Sequence, residues 1–225
     1  MKIPNWIAQR SFAVGWYRNI FDGLSFRTIV KPILLLVAGF FFLSITSSGI
    51  EAQPFEKLHK GLFLVATNNL NGSSFEKTVV LLIQYDDNSV MGLAINRPTD
   101  IKLYEAFPTL KPSLPDSILY LGGPVHPGAV FLLIDQKLSS DSVHIFGDIF
   151  LDGKIGLLSE FKKEDSPKVN LRAYAGYAGW APGQLEKEIQ HGDWVIVEAD
   201  KNTIFTQDTS QIWNNLMKTW SGLWI

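Results

Sequence analysis

The chain has 225 residues, 46% of them hydrophobic and 19% charged, so it is long enough for one well-buried domain and an additional segment. It contains no cysteine, which excludes disulfides, thiolate metal sites and cysteine nucleophiles. The net charge of −2 is uneven: residues 1–52 contain five Lys or Arg and two acidic residues, whereas the remainder contains fifteen and twenty. An acidic main body offers little attraction to phosphate backbones, so no nucleic-acid partner is expected.

The N-terminal part consists of a basic, aromatic leader over residues 1–31 and a stretch without charge over residues 32–50. Nineteen uncharged residues are long enough for a membrane span, which needs about 17–25. The strongly apolar part, 33–43, is shorter and is followed by small residues, which is typical of a cleaved signal. We predict a transmembrane segment or uncleaved signal anchor, with a cleaved signal or a buried core helix as the alternatives.

The orientation in the membrane is predicted from the basic residues that flank the uncharged stretch. Three precede it and two follow it: Arg18, Arg27, Lys31, Lys57 and Lys60. This small excess predicts an N-terminus inside and residues 51–225 outside the cytoplasm, with residues 51–60 as a linker. A start codon assigned too far upstream would instead leave the domain in the cytoplasm.

Residues 61–225 contain short apolar, β-branched runs separated by turn residues, and these predict strands. The predicted strands are 62–66, 78–85, 90–96, 118–121, 129–134, 143–146, a strand that begins at 171, and 194–199. The turn residues 86–89 make 78–96 a hairpin. Hairpins interspersed with short helices predict an α+β fold with a mixed sheet rather than a doubly wound parallel sheet.

Helices are predicted between these strands. The first covers 101–107, with Thr99 or Asp100 as its cap and Pro108 at its end. Weak helical character over 156–163 and an amphipathic pattern over 210–220 indicate two more.

The stretch 173–188, with the sequence AYAGYAGWAPGQLEKE, predicts a strand, a glycine kink and a helix in succession. Gly176 and Gly179 interrupt the strand. Pro182 is suited to the first helical position, and Gly192 to the position just past the helix end.

Candidate functional residues are few. Gly122 and Gly123 fit a tight turn or an anion-binding loop, although Pro124 removes a backbone donor directly after them. His126 fits either a surface-loop histidine or a general base, but no nucleophile-elbow motif supports a catalytic triad. The histidine spacing predicts no metal site. The candidate binding residues are Gly122, Gly123, His126, Trp180 and Gln184, and the stretch around the last two is expected to be chiefly structural.

Four sequence blocks occur in an order typical of one family: SFEKTVVLLIQY (74–85), MGLAINRP (91–98), LGGPV (121–125) and GYAGWAPGQLEKEI (176–189). The chain over residues 61–220 resembles the YqgE/AlgH family on these blocks. The resemblance implies an α+β fold with a strongly bent sheet that curls toward a barrel, short helices packed outside it, and no established biochemical activity. The N-terminal hydrophobic helix would be an addition to it.

The chain departs from the family at three positions. Members commonly have Asp-Pro at Gly72-Ser73, and His at the positions of Tyr85 and Ile134. A family site built from those polar groups would be lost here.

The first functional hypothesis is a membrane-tethered, non-catalytic regulatory or interaction domain. It has no cofactor, contacts the membrane through residues 32–50 and binds an unidentified protein. The alternatives are a hydrolase-like enzyme that uses the loop around His126, and a transcriptional regulator, which the acidic balance disfavours.

Overall fold

The computed structural model describes residues 58–110, 116–160 and 169–222. The predicted leader, the membrane segment with its hydrophobic helix, and most of the predicted linker lie outside these ranges. Within the described ranges, no helix combines the length and the apolar character that a membrane crossing requires.

The described residues form ten strands of one sheet. The strands are β1 (Leu62–Ala66), β2 (Val79–Tyr85), β3 (Val90–Ala94), β4 (Pro98–Lys102), β5 (Ile118–Leu121), β6 (Val125–Ile134), β7 (Val143–Phe146), β8 (Ile149–Asp152), β9 (Leu171–Trp180) and β10 (Trp194–Glu198). Their order is β10-β1-β2-β3-β9-β6-β8-β7, and β5 pairs with both β4 and β9. The β5–β9 pair is parallel and the other pairs are antiparallel.

In the described ranges, four α-helices accompany the sheet, so the α+β class is confirmed. They are α1 (Leu103–Ala106), α2 (Gln184–Gln190), α3 (Lys201–Phe205) and α4 (Thr209–Gly222). Three 3₁₀ turns cover Asn68–Leu70, Pro108–Leu110 and Ile155–Glu160.

The sheet is curled, and the buried clusters show which face is concave. One face unites residues from distant strands in a single cluster, for example Phe63 on β1, Leu133 on β6 and Ile145 on β7. The opposite face divides into two separate clusters, one around Trp180 and one around Leu132. Inward-facing side chains converge while outward-facing ones diverge, which is the behaviour of a half-barrel.

The two ends of the sheet approach each other. Lys60, just before β1, donates a hydrogen bond to the His144 carbonyl on β7 at 2.7 Å. At the start of α3, Lys201 bridges Asp135 at 2.9 Å and Asp148 at 2.7 Å. Helices α3 and α4 add Ile204 and Ile212 to the concave-face cluster. Strand pairing leaves one side of the half-barrel open, and these polar contacts and helices cover that side.

β9 is the central strand. It pairs with β6 along one edge, and with both β5 and β3 along the other. β9 also continues through Gly176 and Gly179 to Trp180, so these glycines bend the strand without ending it. The predicted succession of a strand, a glycine bend and a helix is therefore observed over residues 171–190.

Several predicted boundaries are wrong. Residues 98–102 form β4, because β5 provides a pairing partner, and the helix predicted over 101–107 shrinks to α1. Its N-cap is Lys102, without a side-chain cap, rather than Thr99 or Asp100. Pro182 precedes α2, whose N-cap is Gly183 with φ +74°. Strand β8 and helix α3 were not predicted, since neither has a periodic pattern of sufficient length.

Candidate functional site

The glycine pair at 122–123 lies directly against the bend in β9. The Gly122 N–H donates to the Ala175 carbonyl at 2.8 Å, and its own carbonyl accepts from Ala94 N–H at 2.8 Å. A Cβ added to Gly123 would lie 2.2 Å from the Tyr177 carbonyl carbon, so no side chain fits there. The pair is explained by close backbone approach. The Gly122 N–H is already hydrogen-bonded and Pro124 has no N–H. Neither residue therefore offers the backbone donor that an anion-binding loop would need.

His126 follows this crossing and has an unusual backbone. Its φ is +44°, a conformation that side-chain-bearing residues seldom adopt. The side chain is exposed, and its ring stacks on Tyr177 with centroids 6.0 Å apart and planes 28° apart. The Phe131 ring meets the Tyr177 ring edge-on, with centroids 6.0 Å apart. Burial raises the pKa of the Tyr177 hydroxyl. The three rings form an aromatic rim, defined here as His126, Phe131 and Tyr177.

Trp180 and Gln184 belong to a different group, centred on the Glu188 carboxylate in α2. Oε2 of Glu188 accepts from the indole N–H of Trp180 at 2.8 Å and from that of Trp194 at 2.9 Å. Oε1 accepts from the Gln184 amide at 2.8 Å. The two indole rings meet edge-on at 6.1 Å. This arrangement fastens α2 to the convex face of the sheet, and Trp180 and Gln184 both take part in it.

Tyr85 lies beside the same helix. Its hydroxyl donates to Oε1 of Glu186 at 2.6 Å, while Oε2 of Glu186 is buried and has no partner in the described chain. The hydrogen bond to Glu186, with burial and the nearby carboxylate charges, raises the pKa of Tyr85 to about 12. Tyr85 thus closes a contact between the β2–β3 hairpin and α2.

The Arg97 guanidinium is hydrogen-bonded to the loop before β2. Its Nη2 donates to the Glu76 carbonyl at 2.5 Å and to the Thr78 hydroxyl at 2.6 Å. Its neighbour Asn96 accepts from Val79 N–H at 2.9 Å. Burial lowers the pKa of Arg97, and the Glu76 charge opposes this. Together these side chains hold the loop before β2, which the sequence did not single out.

The five predicted binding residues therefore separate into two groups. Gly122, Gly123 and His126 meet Tyr177 at the bend of β9, whereas Trp180 and Gln184 lie on the convex face with Glu188. No group of three His, Asp or Glu in the described ranges is arranged to hold a metal. Tyr85 stood out in the sequence because members of the family commonly have histidine at this position. Nothing in the sequence predicted that its hydroxyl would donate a hydrogen bond to Glu186.

The bent sheet crossed by a glycine loop and covered by short helices defines a class of half-barrel domains, and comparison identifies which one. The profile of the AlgH-like family, DUF179, matches residues 63–224. The chain belongs to this family.

Relatives include a UPF0301 protein of Chlorobium limicola, 32% identical over 172 residues, covering 76% of this chain and 91% of that protein. A UPF0301 protein of Cytophaga hutchinsonii is 31% identical over 169 residues, covering 73% and 91%.

Two solved structures share the fold. The solution structure of the AlgH protein from Pseudomonas aeruginosa has a TM-score of 0.60 and 26% identity, covering 77% of this chain and 93% of that one. A crystal structure of a Corynebacterium diphtheriae protein has a TM-score of 0.62 and 23% identity, covering 72% and 87%.

Proposed function

We propose that this chain is a membrane-tethered, non-catalytic interaction domain whose protein-binding surface is the aromatic rim. The observation that supports it is His126, an exposed residue held at φ +44°. Such a conformation costs roughly 1–3 kcal/mol and persists only where the surroundings determine it. Strain of this kind at an exposed aromatic position is typical of a surface with a recognition role.

The rim is suited to recognition because its shape is set before any partner arrives. The backbones of Gly123 and Tyr177 are in contact, which fixes the loop that presents His126. A pre-ordered aromatic surface loses little entropy on binding, and aromatic residues are enriched in interface cores. Exposed Leu121 and Pro124 in the same segment add apolar area.

The chemistry at His126 gives little support to the hydrolase alternative. A general base needs the group that it deprotonates within about 3 Å, or one water away. In the described chain, the contact of the His126 ring is the stack on Tyr177, and the ring makes no hydrogen bond. Ring stacking positions an imidazole for binding but moves no proton.

Site-directed photo-crosslinking tests the proposal. A photoreactive residue replaces His126 in the full-length chain, and a matched chain carries it at exposed Lys187 on α2. We expect a discrete protein adduct from membranes with the first chain and not with the second. Equal labelling at both positions would contradict the rim as the contact surface. Ester or amide hydrolysis that disappears in His126→Gln would instead favour the hydrolase.

A further inference from the structure

A second feature lies on the concave face, at the beginning of β9. Arg172 and Tyr174 are two residues apart and point to the same face, while Ala173 and Ala175 belong to a convex-face cluster. Across the sheet, Arg172 pairs with Leu133 and Tyr174 with Tyr120. A cationic side chain is therefore placed among apolar and aromatic neighbours.

Arg172 has no charge partner among the residues that the structure describes. Its guanidinium lies 4.8 Å from the centre of the Tyr120 ring, a cation–π contact that uses the face of the group and not its N–H donors. Nη1 is buried and makes no hydrogen bond within the described chain. The ion pairs of the described residues involve His59, Lys154, His191 and Lys201, and none includes Arg172.

Arg97 provides an internal comparison. It is also partly buried, yet its donors reach the Glu76 carbonyl and the Thr78 hydroxyl. The fold therefore satisfies one guanidinium with its own acceptors and leaves the other without them.

Tyr174 adds a second unused donor beside Arg172. Its side chain is fully buried, at 0% exposure, and its hydroxyl has no hydrogen-bond partner in the described ranges. Its ring lies 5.4 Å from that of Tyr120. The two groups act on each other: burial raises the pKa of the Tyr174 hydroxyl, and the neighbouring Arg172 guanidinium opposes this. Neither Nη1 of Arg172 nor that hydroxyl has an acceptor among the described residues. Buried polar groups are normally paired, so the pair lacks an acceptor that a bound ligand would supply.

We propose that Arg172 and Tyr174, with Tyr120 as the aromatic support of the guanidinium, bind the oxyanion of a small ligand, either a carboxylate or a phosphate group. The guanidinium offers parallel N–H donors that match two oxygens of either group. In this proposal the tyrosine hydroxyl donates to the same oxygen pair, and Arg172 is half-buried rather than fully enclosed. Phe131 of the aromatic rim is the cross-strand neighbour of Tyr174, but the proposal does not depend on the role of the rim.

The competing explanation is an ordered water molecule, which can satisfy buried donors. It predicts no dependence on anions. The two are distinguished by the arginine side-chain Nε–H signals in NMR spectra of the full-length chain in detergent micelles. The sequence has arginines at 10, 18, 27, 97 and 172, so Arg97 serves as the buried reference in the same spectrum.

The titration uses sodium phosphate in one series and sodium acetate in another, with ionic strength held constant by sodium chloride. We expect a saturable shift of the Arg172 signal in at least one series, with the Arg97 signal unchanged. A response to phosphate alone identifies a phosphorylated ligand, and a response to acetate alone identifies a carboxylate. Absence of a saturable shift in both series overturns the proposal in favour of bound water.

Three variants locate the binding site. Each is titrated by calorimetry with the anion that shifts the Arg172 signal. Arg172→Gln should abolish binding, and Tyr174→Phe, which removes only the hydroxyl, should weaken it about tenfold. Lys187→Gln removes an exposed cation and should leave affinity unchanged. Undiminished binding by Tyr174→Phe and Arg172→Gln would place the anion elsewhere and overturn the assignment. Tyr174→Phe retains the ring, so it remains informative if Arg172→Gln does not fold.

Discussion

Replacing Gly176 by alanine tests the close approach that bends β9. Gly176 has φ +68°, and an added Cβ would lie 2.5 Å from the Gly123 carbonyl oxygen and 2.9 Å from that of Val125. The left-handed backbone costs an L-residue roughly 1–2 kcal/mol. Crowding against two backbone oxygens adds about 1–3 kcal/mol. Restriction of the unfolded chain by alanine offsets about 0.4–1 kcal/mol, so the expected net loss is roughly 1–5 kcal/mol.

Two other glycines separate the contributions. Gly183 has φ +74° with no atom within 4 Å of an added Cβ, so Gly183→Ala isolates backbone strain and should cost about 1 kcal/mol. Gly128 has the same open space without a positive φ. Gly128→Ala should therefore leave stability unchanged or raise it by up to about 1 kcal/mol.

The measurement is urea unfolding of a chain that starts at Gln53, followed by circular dichroism. The slope of free energy against urea should be equal for all variants, since it reports the surface exposed on unfolding. If Gly176→Ala is no less stable than Gly183→Ala, the contact between Gly176 and Gly123 is not tight, and the argument from backbone approach is refuted.

Three further predictions concern other parts of the chain. Glu188→Ala leaves two indole N–H groups without their acceptor and should lower the free energy of unfolding by roughly 2–5 kcal/mol. The control, Lys187→Ala at an exposed position, should change it by no more than about 0.5 kcal/mol. Equal losses in the two variants would contradict the role of the Glu188 carboxylate. The raised pKa of Tyr85 means that the folded protein retains this proton more tightly than the unfolded chain. Its contribution to stability is thus fully present below pH 10 and declines as the pH rises to about 12, so the stability difference between the parent and Tyr85→Phe should shrink over that interval; a constant difference would argue against the Glu186 contact. Membranes washed with carbonate should retain the full-length chain and release one that starts at Gln53, and recovery of the intact full-length chain in the wash would contradict membrane tethering by residues 32–50.

Much of the strand content follows from the sequence because the signal is local. Residues 62–66 are apolar throughout and residues 79–85 are apolar except for Gln84, and both form strands close to the predicted boundaries. The turn residues 86–89 directly follow β2, so they predict that the next strand, β3, pairs with it as a hairpin. The four ordered sequence blocks likewise indicated the family that the comparison establishes.

Other features depend on partners that are distant in the chain. The segment 98–102 has little strand character and becomes β4 because β5 pairs with it. Gly123 appears in sequence as a turn residue, and only the position of Tyr177 shows that a Cβ would collide there. The left-handed backbone of His126 also has no signature in a sequence that lacks glycine at that position.

Arg172 and Tyr174 on the concave face also show which features the sequence predicts and which depend on the tertiary structure. The alternation along β9 predicts that Arg172 and Tyr174 share a face, since successive side chains of a strand point to opposite sides. It does not determine which face is concave, nor that Tyr120 supports the guanidinium from 52 residues away. Strand periodicity is encoded by adjacent residues, whereas register and curvature arise from pairing between segments far apart. The sequence by itself therefore determined most of the strands and the family, whereas only the tertiary structure decided the strands that depend on a distant partner and which side chains meet.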